Sequence, residues 1–244
     1  PTGLTDAGDA ISATTTYTTV TAAVDNSLTG GTDDNAPTVG EIDTGMQLFA
    51  DTSTVDVNLL FAYPDANGAD LITLVNARKD CMAFVSPPIE DSKDAAVPAT
   101  EVGGWVAGLT STSYASVDSS AVYVYDKYND VYRWIGAAGH VAGLCANTDD
   151  VADAWFSPAG VNRGQLLGIT KLAWNPSKAD RDTLYKARCN PLVSLPGQGT
   201  ILFGDKTLLK RPSAFDRINV RRLFITLEKA ISTAAEAQLF EFND

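Results

Sequence analysis

Apolar positions along the chain change period several times, and the changes mark out elements. The run VDVNLLFAYP (Val55–Pro64) is continuously apolar and closed by proline, the pattern of a buried strand. GADLITLVNARKD follows with helical spacing at Leu71, Leu74 and Val75 and cations in its last turn. CMAFVSPP reads as strand again, stopped by two prolines, and PATEVGGWVAGL as a helix despite its paired glycines. AVYVYDKYNDVYRWI alternates aromatic and β-branched residues on both sides of Asn129-Asp130, which predicts a hairpin. AAGHVAGLCANTDD is a helix of small residues suited to close packing on a sheet. GQLLGITKLAW then reads as strand, and NPSKADRDTLYKARCN as a helix with Asn175 or Ser177 as N-cap. A short helix is expected near Glu41–Ala50.

Strands and helices in alternation predict an α/β fold, a mixed β-sheet layered with helices. Residues 1–29 lack strong alternation and form a short strand- and loop-rich lead-in, or the remnant of a preceding domain. Residues 30–244 form the α/β domain. The chain starts at Pro1 without Met and stops after LFEFND, and is read as a piece truncated at both ends.

The last strongly periodic segment is FDRINVRRLFITLEKAISTA. Val220, Leu223, Phe224, Leu227, Ile231 and Ala234 fall on one helical stripe, expected to face the core, and Ser213 with Asp216 has capping-box spacing. The other face carries Arg217, Arg221, Arg222, Ile225 and Lys229. Arg217 and Arg221 stand four apart, where like charges repel unless an acid answers them. This face is either solvated or the contact for an acidic partner.

Charge sharpens that choice. The chain carries a net −12, which argues against general nucleic-acid or membrane-surface binding. Residues 1–170 hold 6 Lys and Arg against 22 Asp and Glu, whereas residues 171–244 hold 12 against 8. The C-terminal part is locally basic in an acidic protein.

Candidate chemistry is sparse. PGQGTILFGDKTLL (Pro196–Leu209) superficially matches a phosphate-binding loop, but that loop needs lysine directly after its second glycine. Here Asp205 intervenes before Lys206, and Thr200–Phe203 favour a strand. The glycines are expected to supply special backbone angles. An enzyme binding a phosphorylated ligand through residues 197–207 is the alternative. His140 is the only histidine, in AAGHVAG, and no G-x-S-x-G accompanies it, so a packed histidine is expected. Asp33-Asp34, Asp149-Asp150 and the acids of DANGAD (Asp65–Asp70) read as solvated loop acids rather than a calcium site. Cys81, Cys145 and Cys189 form no C-x-x-C pair and are expected to be buried thiols. No cofactor and no metal is expected.

Six stretches, taken in order, resemble the contractile tail sheath family of T4-like myoviruses. They are GGTDD (Gly30–Asp34), VNLLFAYP (Val57–Pro64), AGHVAGLCANTD (Ala138–Asp149), WFSPAGVNRG (Trp155–Gly164), PGQGTILFGDKTL and INVRRLFITLEKAI. The resemblance implies a non-enzymatic subunit of the virion tail, made in the host cytoplasm. Its partners would be other sheath subunits in stacked six-fold rings, the tail tube, the baseplate and the tail terminator. It also implies that the glycine segment is structural, and that the basic face of the last helix meets the tube or a neighbouring subunit.

Overall fold

The computed structural model describes Gly31 and residues 37–62, 67–236 and 238–239. The expectations for residues 1–29, Asp33-Asp34 and Asp65 lie outside the described residues. The chain divides into two units at Pro37/Thr38, and the second, from Thr38 onward, carries the architecture below.

Its elements run α1 (Val39–Gln47), β1 (Leu59–Phe61), α2 (Gly68–Arg78), β2 (Met82–Val85), α3 (Ile89–Lys93), α4 (Pro98–Gly108) and β3 (Ala115–Asp118). Then come β4 (Ala121–Asp126), β5 (Val131–Gly136), α5 (Ala138–Val151), β6 (Ile169–Leu172) and α6 (Lys178–Lys186). β7 (Cys189–Asn190), β8 (Leu192–Leu195), β9 (Gly199–Leu202) and α7 (Ile218–Glu236) complete the order.

Four strands make a parallel sheet in the order β1-β2-β3-β7. Alternation along β2 builds two cores from four residues. Ala83 and Val85 point into one, with Leu71, Val75, Val102 and Leu184 from α2, α4 and α6. Met82 and Phe84 point into the other, with Val141, Cys145 and Ile225 from α5 and α7. A sheet covered on both faces explains why β2 is buried throughout, as parallel strands require. β1 departs from expectation. The buried strand predicted over Val55–Pro64 forms only at Leu59–Phe61, and it is the sheet's edge, with Phe61 exposed.

The hairpin β4–β5 forms as predicted, joined on its other side by β6 in an antiparallel sheet of its own. The helix predicted from small residues is α5. Its Gly139 allows the close approach, since a Cβ there would stand 3.3 Å from the ring of Phe61. Ser177 caps α6 in a capping box with Asp180, one of the two caps expected.

Candidate functional site

The segment Pro196–Leu209 is a hairpin followed by a turn, not a loop of phosphate-facing amides. β8 and β9 pair antiparallel from Leu192↔Leu202 to Leu195↔Gly199. Gly197 and Gly199 take φ of 76° and 73°, the left-handed region that glycine enters at no steric cost. Gly204 is required for another reason: a Cβ there would lie 2.9 Å from Oδ1 of Asn190. Buried Asn190 clamps the following turn, accepting from Lys206 N at 2.6 Å and donating to Lys206 O at 2.8 Å. The side chains of the Asp-Lys pair are spent inside the fold. Lys206 Nζ donates to Asp216 Oδ2 at 2.6 Å, and Arg188 reaches the same oxygen at 3.1 Å. Burial alone would raise the Asp216 carboxyl, but these two hydrogen bonds outweigh it and hold the group below the usual carboxylate range. Asp205 accepts from Arg217 Nη1 at 2.5 Å and from Ser157 Oγ at 3.1 Å.

These pairs fix the start of α7, and the helix that follows reverses the expected orientation. Ile218, Arg221, Arg222 and Ile225 are buried, whereas Phe224, Leu227 and Ile231 of the apolar stripe are exposed. Ile225, expected to sit exposed among cations, packs into the core with Ile218 and Val141. Arg221, expected on the outer face, lies between the rings of Tyr114 and Phe215, its Cζ 4.2 and 4.1 Å from their centroids. Its Nη1 donates to the Tyr114 hydroxyl at 3.2 Å. Arg222 donates to Asp149 at 2.5 Å and to the carbonyl of Cys145 at 3.5 Å. Lys229 pairs with Asp56. Arg217, Arg222 and Lys229 therefore do find acids while Arg221 finds aromatic rings, and Asp149, expected to be a solvated loop acid, belongs to α5 and holds α7 down. The physical reason is spacing. Positions 218, 221/222 and 225 are themselves one helical face, and two arginines can be buried there because aromatic faces and a carboxylate receive them. Ser213 caps only a short 3-10 turn over Ala214–Asp216, and Asp216 serves the cation cluster instead.

A second feature lies at the C-terminal ends of β1 and β2, where a groove of about 640 Å³ is lined by Phe61, Pro87, Ile89, Ile135, His140 and Leu167. Ser86 and His140 both line it, and Ser86 touches a carboxylate, which invites comparison with a hydrolase triad. The geometry refuses it. Ser86 Oγ donates to Asp118 Oδ2 at 2.5 Å and accepts from Ala138 N at 2.8 Å, so its proton and a lone pair are committed. Its work is to cap α5, whose first turn has no other side-chain cap. Burial pushes the Asp118 carboxyl up to about 7, against the pull of hydrogen bonds from Ser86 and Ser120. Burial lowers the pKa of half-buried His140, as a packed histidine requires. The three cysteines are free and buried, with Cys81 and Cys145 each pushed up to about 12. Among the described residues no group of His, Cys, Asp and Glu could hold a metal ion, and no helix is long and apolar enough to cross a membrane.

The family model for the phage tail sheath protein central domain matches residues 45–208, from the C-terminal end of α1 to the turn beyond β9. The chain belongs to the phage tail sheath family. It is 49% identical over 184 residues to a tail sheath protein of Vibrio phage KVP40, a match covering 69% of this chain and 27% of that protein. It is 40% identical over 240 residues to a tail sheath protein of Enterobacteria phage T4, covering 89% of this chain and 36% of the relative. The chain thus spans about a third of the length of these relatives. Among solved structures, the sheath complex of an extracellular contractile injection system in its contracted state shares the fold. The TM-score is 0.64 at 23% identity, over 78% of this chain and 50% of that one.

Asn190, Tyr114, Phe215 and the Ser86–Asp118 pair escaped the sequence reading. Their partners lie far along the chain, as with Ser86 and Asp118 or Asn190 and Ser116, and no local pattern announces such pairs.

Proposed function

We propose that this chain is part of a structural, non-enzymatic subunit of a contractile phage tail sheath, which polymerises around the tail tube and shortens to drive it through the host envelope. The observation that carries the reading is the sheath family match over residues 45–208, joined to a fold shared with a contracted sheath. Residues 30–244 are the sheath domain and residues 1–29 a lead-in. The subunits sit in six-fold rings stacked helically in the virion tail, after synthesis in the host cytoplasm, and meet the tube, the baseplate and the tail terminator. A head-to-tail interface with screw symmetry generates an open tube. Contraction is then a switch between two packings and needs no nucleotide.

Within this reading α7 is a contact element for the tube or a neighbouring subunit. Its outward row of Phe224, Leu227 and Ile231 is the apolar surface to be covered, with Arg217 and Lys229 beside it. Arg221, Arg222 and Ile225 set the helix in place from below. Electron microscopy of phage tails, with antibody raised against this chain, tests the function. Label along the length of the sheath supports it, and label absent from tails overturns it.

A further inference from the structure

Opposite flanks of the first helical layer carry opposite charge. α1 packs on α2 and α6 packs on α4, and these helices share one core against the sheet. α1, packed on α2, and α6, packed on α4 and edge strand β7, therefore stand at the two ends of the layer. On the α1 flank, residues 37–62 contain Glu41, Asp43, Asp51 and Asp56 and no Lys or Arg. Asp56 is already paired with Lys229, and Arg78, which donates to the carbonyls of Phe49 and Val55, is answered by Asp80, so Glu41, Asp43 and Asp51 carry the excess. Leu48 and Phe49 are exposed there, Leu48 by 76%.

The α6 flank is the counterpart. Residues 178–217 hold 8 Lys and Arg against 4 Asp and Glu, and two of those acids, Asp205 and Asp216, are already engaged by Arg217, Lys206 and Arg188. Its exposed aromatics sit among cations. Arg181 lies 5.2 Å from the centroid of Phe203, and Lys206 lies 5.1 Å from that of Tyr185. Lys178 and Lys186 project from the two ends of α6 into solvent.

We infer that the acidic α1 flank of one copy docks against the basic, aromatic α6 flank of a second copy of this chain. Two unlike patches on opposite flanks cannot satisfy each other within one molecule, and a contact between them repeats without closing on itself, the geometry of an open polymer. Apolar residues at the centre of each flank supply the buried area, and the surrounding charges set register and exclude a flank meeting its own kind. The net −12 does not forbid it. At about 0.15 M salt the screening length is near 8 Å, so distant like charges are damped while apposed ones still interact. The inference deepens the sheath reading and rests on it for the biological role of the contact.

The test uses two variants, substituted at exposed Gln47, Lys178 and Lys186 and at half-buried Asp43. The first, Asp43→Lys with Gln47→Lys, takes residues 37–62 from −4 to −1 and removes most of the acidic excess. The second, Lys178→Glu with Lys186→Glu, takes residues 178–217 from +4 to 0 and removes the basic excess. In sedimentation equilibrium up to millimolar concentration, the unaltered chain is expected to self-associate, and more weakly at high salt. Each variant alone should associate at least about tenfold more weakly, given two altered charges on one flank. An equal mixture of the two should recover association, because each now presents what the other lacks. A mixture no stickier than its components, variants that associate like the parent, or a parent that stays monomeric would each overturn the contact. Absence of the chain from imaged sheaths would instead overturn the sheath reading, leaving a measured self-association intact.

Discussion

Arg222 donates through Nη2 to Asp149 Oδ2 at 2.5 Å, tying the buried side of α7 to the last turn of α5. The two partners are unequally buried: the Arg222 side chain is 6% exposed and that of Asp149 37%. Removing the acid leaves a buried guanidinium with only a long contact to the Cys145 carbonyl. Replacing the arginine by an apolar side chain leaves an acid that water can reach. Asp149→Ala should therefore cost more stability than Arg222→Met, about 2–4 kcal/mol against about 1 kcal/mol. Urea denaturation of both, with the double variant closing the cycle, measures the difference, and an equal or inverted order contradicts it.

Asp118 makes stability depend on pH in the sense opposite to an ordinary carboxylate. Its folded pKa is raised to about 7, so between the unfolded value and pH 7 the native state holds a proton that the unfolded chain has released. Its contribution is fully present below the unfolded pKa and is lost as pH climbs to about 7. Asp118→Asn, neutral at every pH, should remove that decline. Thermal melts of the two proteins from pH 4.5 to 7.5 should diverge, the parent losing stability relative to the variant as pH rises. Parallel curves would mean that Asp118 is ionised throughout.

How legible each element was depended on how local its cause is. α2, β2, the β4–β5 hairpin and α5 follow from periodicity and turn residues within a dozen positions, and they lie where the pattern puts them. α7 was legible as a helix but not in its orientation. Both of its faces are spaced for burial, and the decision rests with Tyr114, Phe215 and Asp149, which lie elsewhere in the chain. Hydrophobicity assigns the arginines to water. An aromatic sandwich and a carboxylate reverse that assignment, leaving Phe224, Leu227 and Ile231 outside. The edge position of β1 was equally hidden, because an apolar run does not say how many neighbours the strand will have.

Two glycines near the groove should respond oppositely to alanine. A Cβ at Gly136 would stand 2.8 Å from Cβ of Ser86, so Gly136→Ala must displace the residue that caps α5. A loss of about 1–3 kcal/mol is expected. Gly143 lies inside α5 with nothing within 4 Å of the added Cβ, so Gly143→Ala should gain about 0.5–1 kcal/mol from helix propensity. Differential scanning calorimetry distinguishes the two, and a stabilised Gly136→Ala would show that the contact relaxes freely.

No ATP or GTP binding is expected at the 197–207 segment, because Lys206 is already paired with Asp216 and the glycines belong to a hairpin. Isothermal titration should give no saturable heat. Stoichiometric micromolar binding lost in Lys206→Ala would revive the nucleotide reading.

The two faces of α7 predict a separation between folding and assembly. Arg221 sits between Tyr114 and Phe215, and a desolvated cation over an aromatic face contributes about 2 kcal/mol. Arg221→Glu places an anion against two ring faces and next to the Tyr114 hydroxyl, so it should cost well over that amount and spoil the fold. Arg221→Met keeps the apolar filling and loses only the charge, for a smaller cost. On the outward face, Leu227→Glu with Ile231→Glu touches side chains that are 45% and 66% exposed, and stability should move by no more than about 0.5 kcal/mol. If that face meets the tube or a neighbouring subunit, the outward pair should nevertheless block incorporation into sheaths while circular dichroism and melting stay close to the parent. A well-folded outward variant that assembles normally would free α7 from any contact role. An Arg221→Glu protein as stable as the parent would show that the arginine does not lie between the rings.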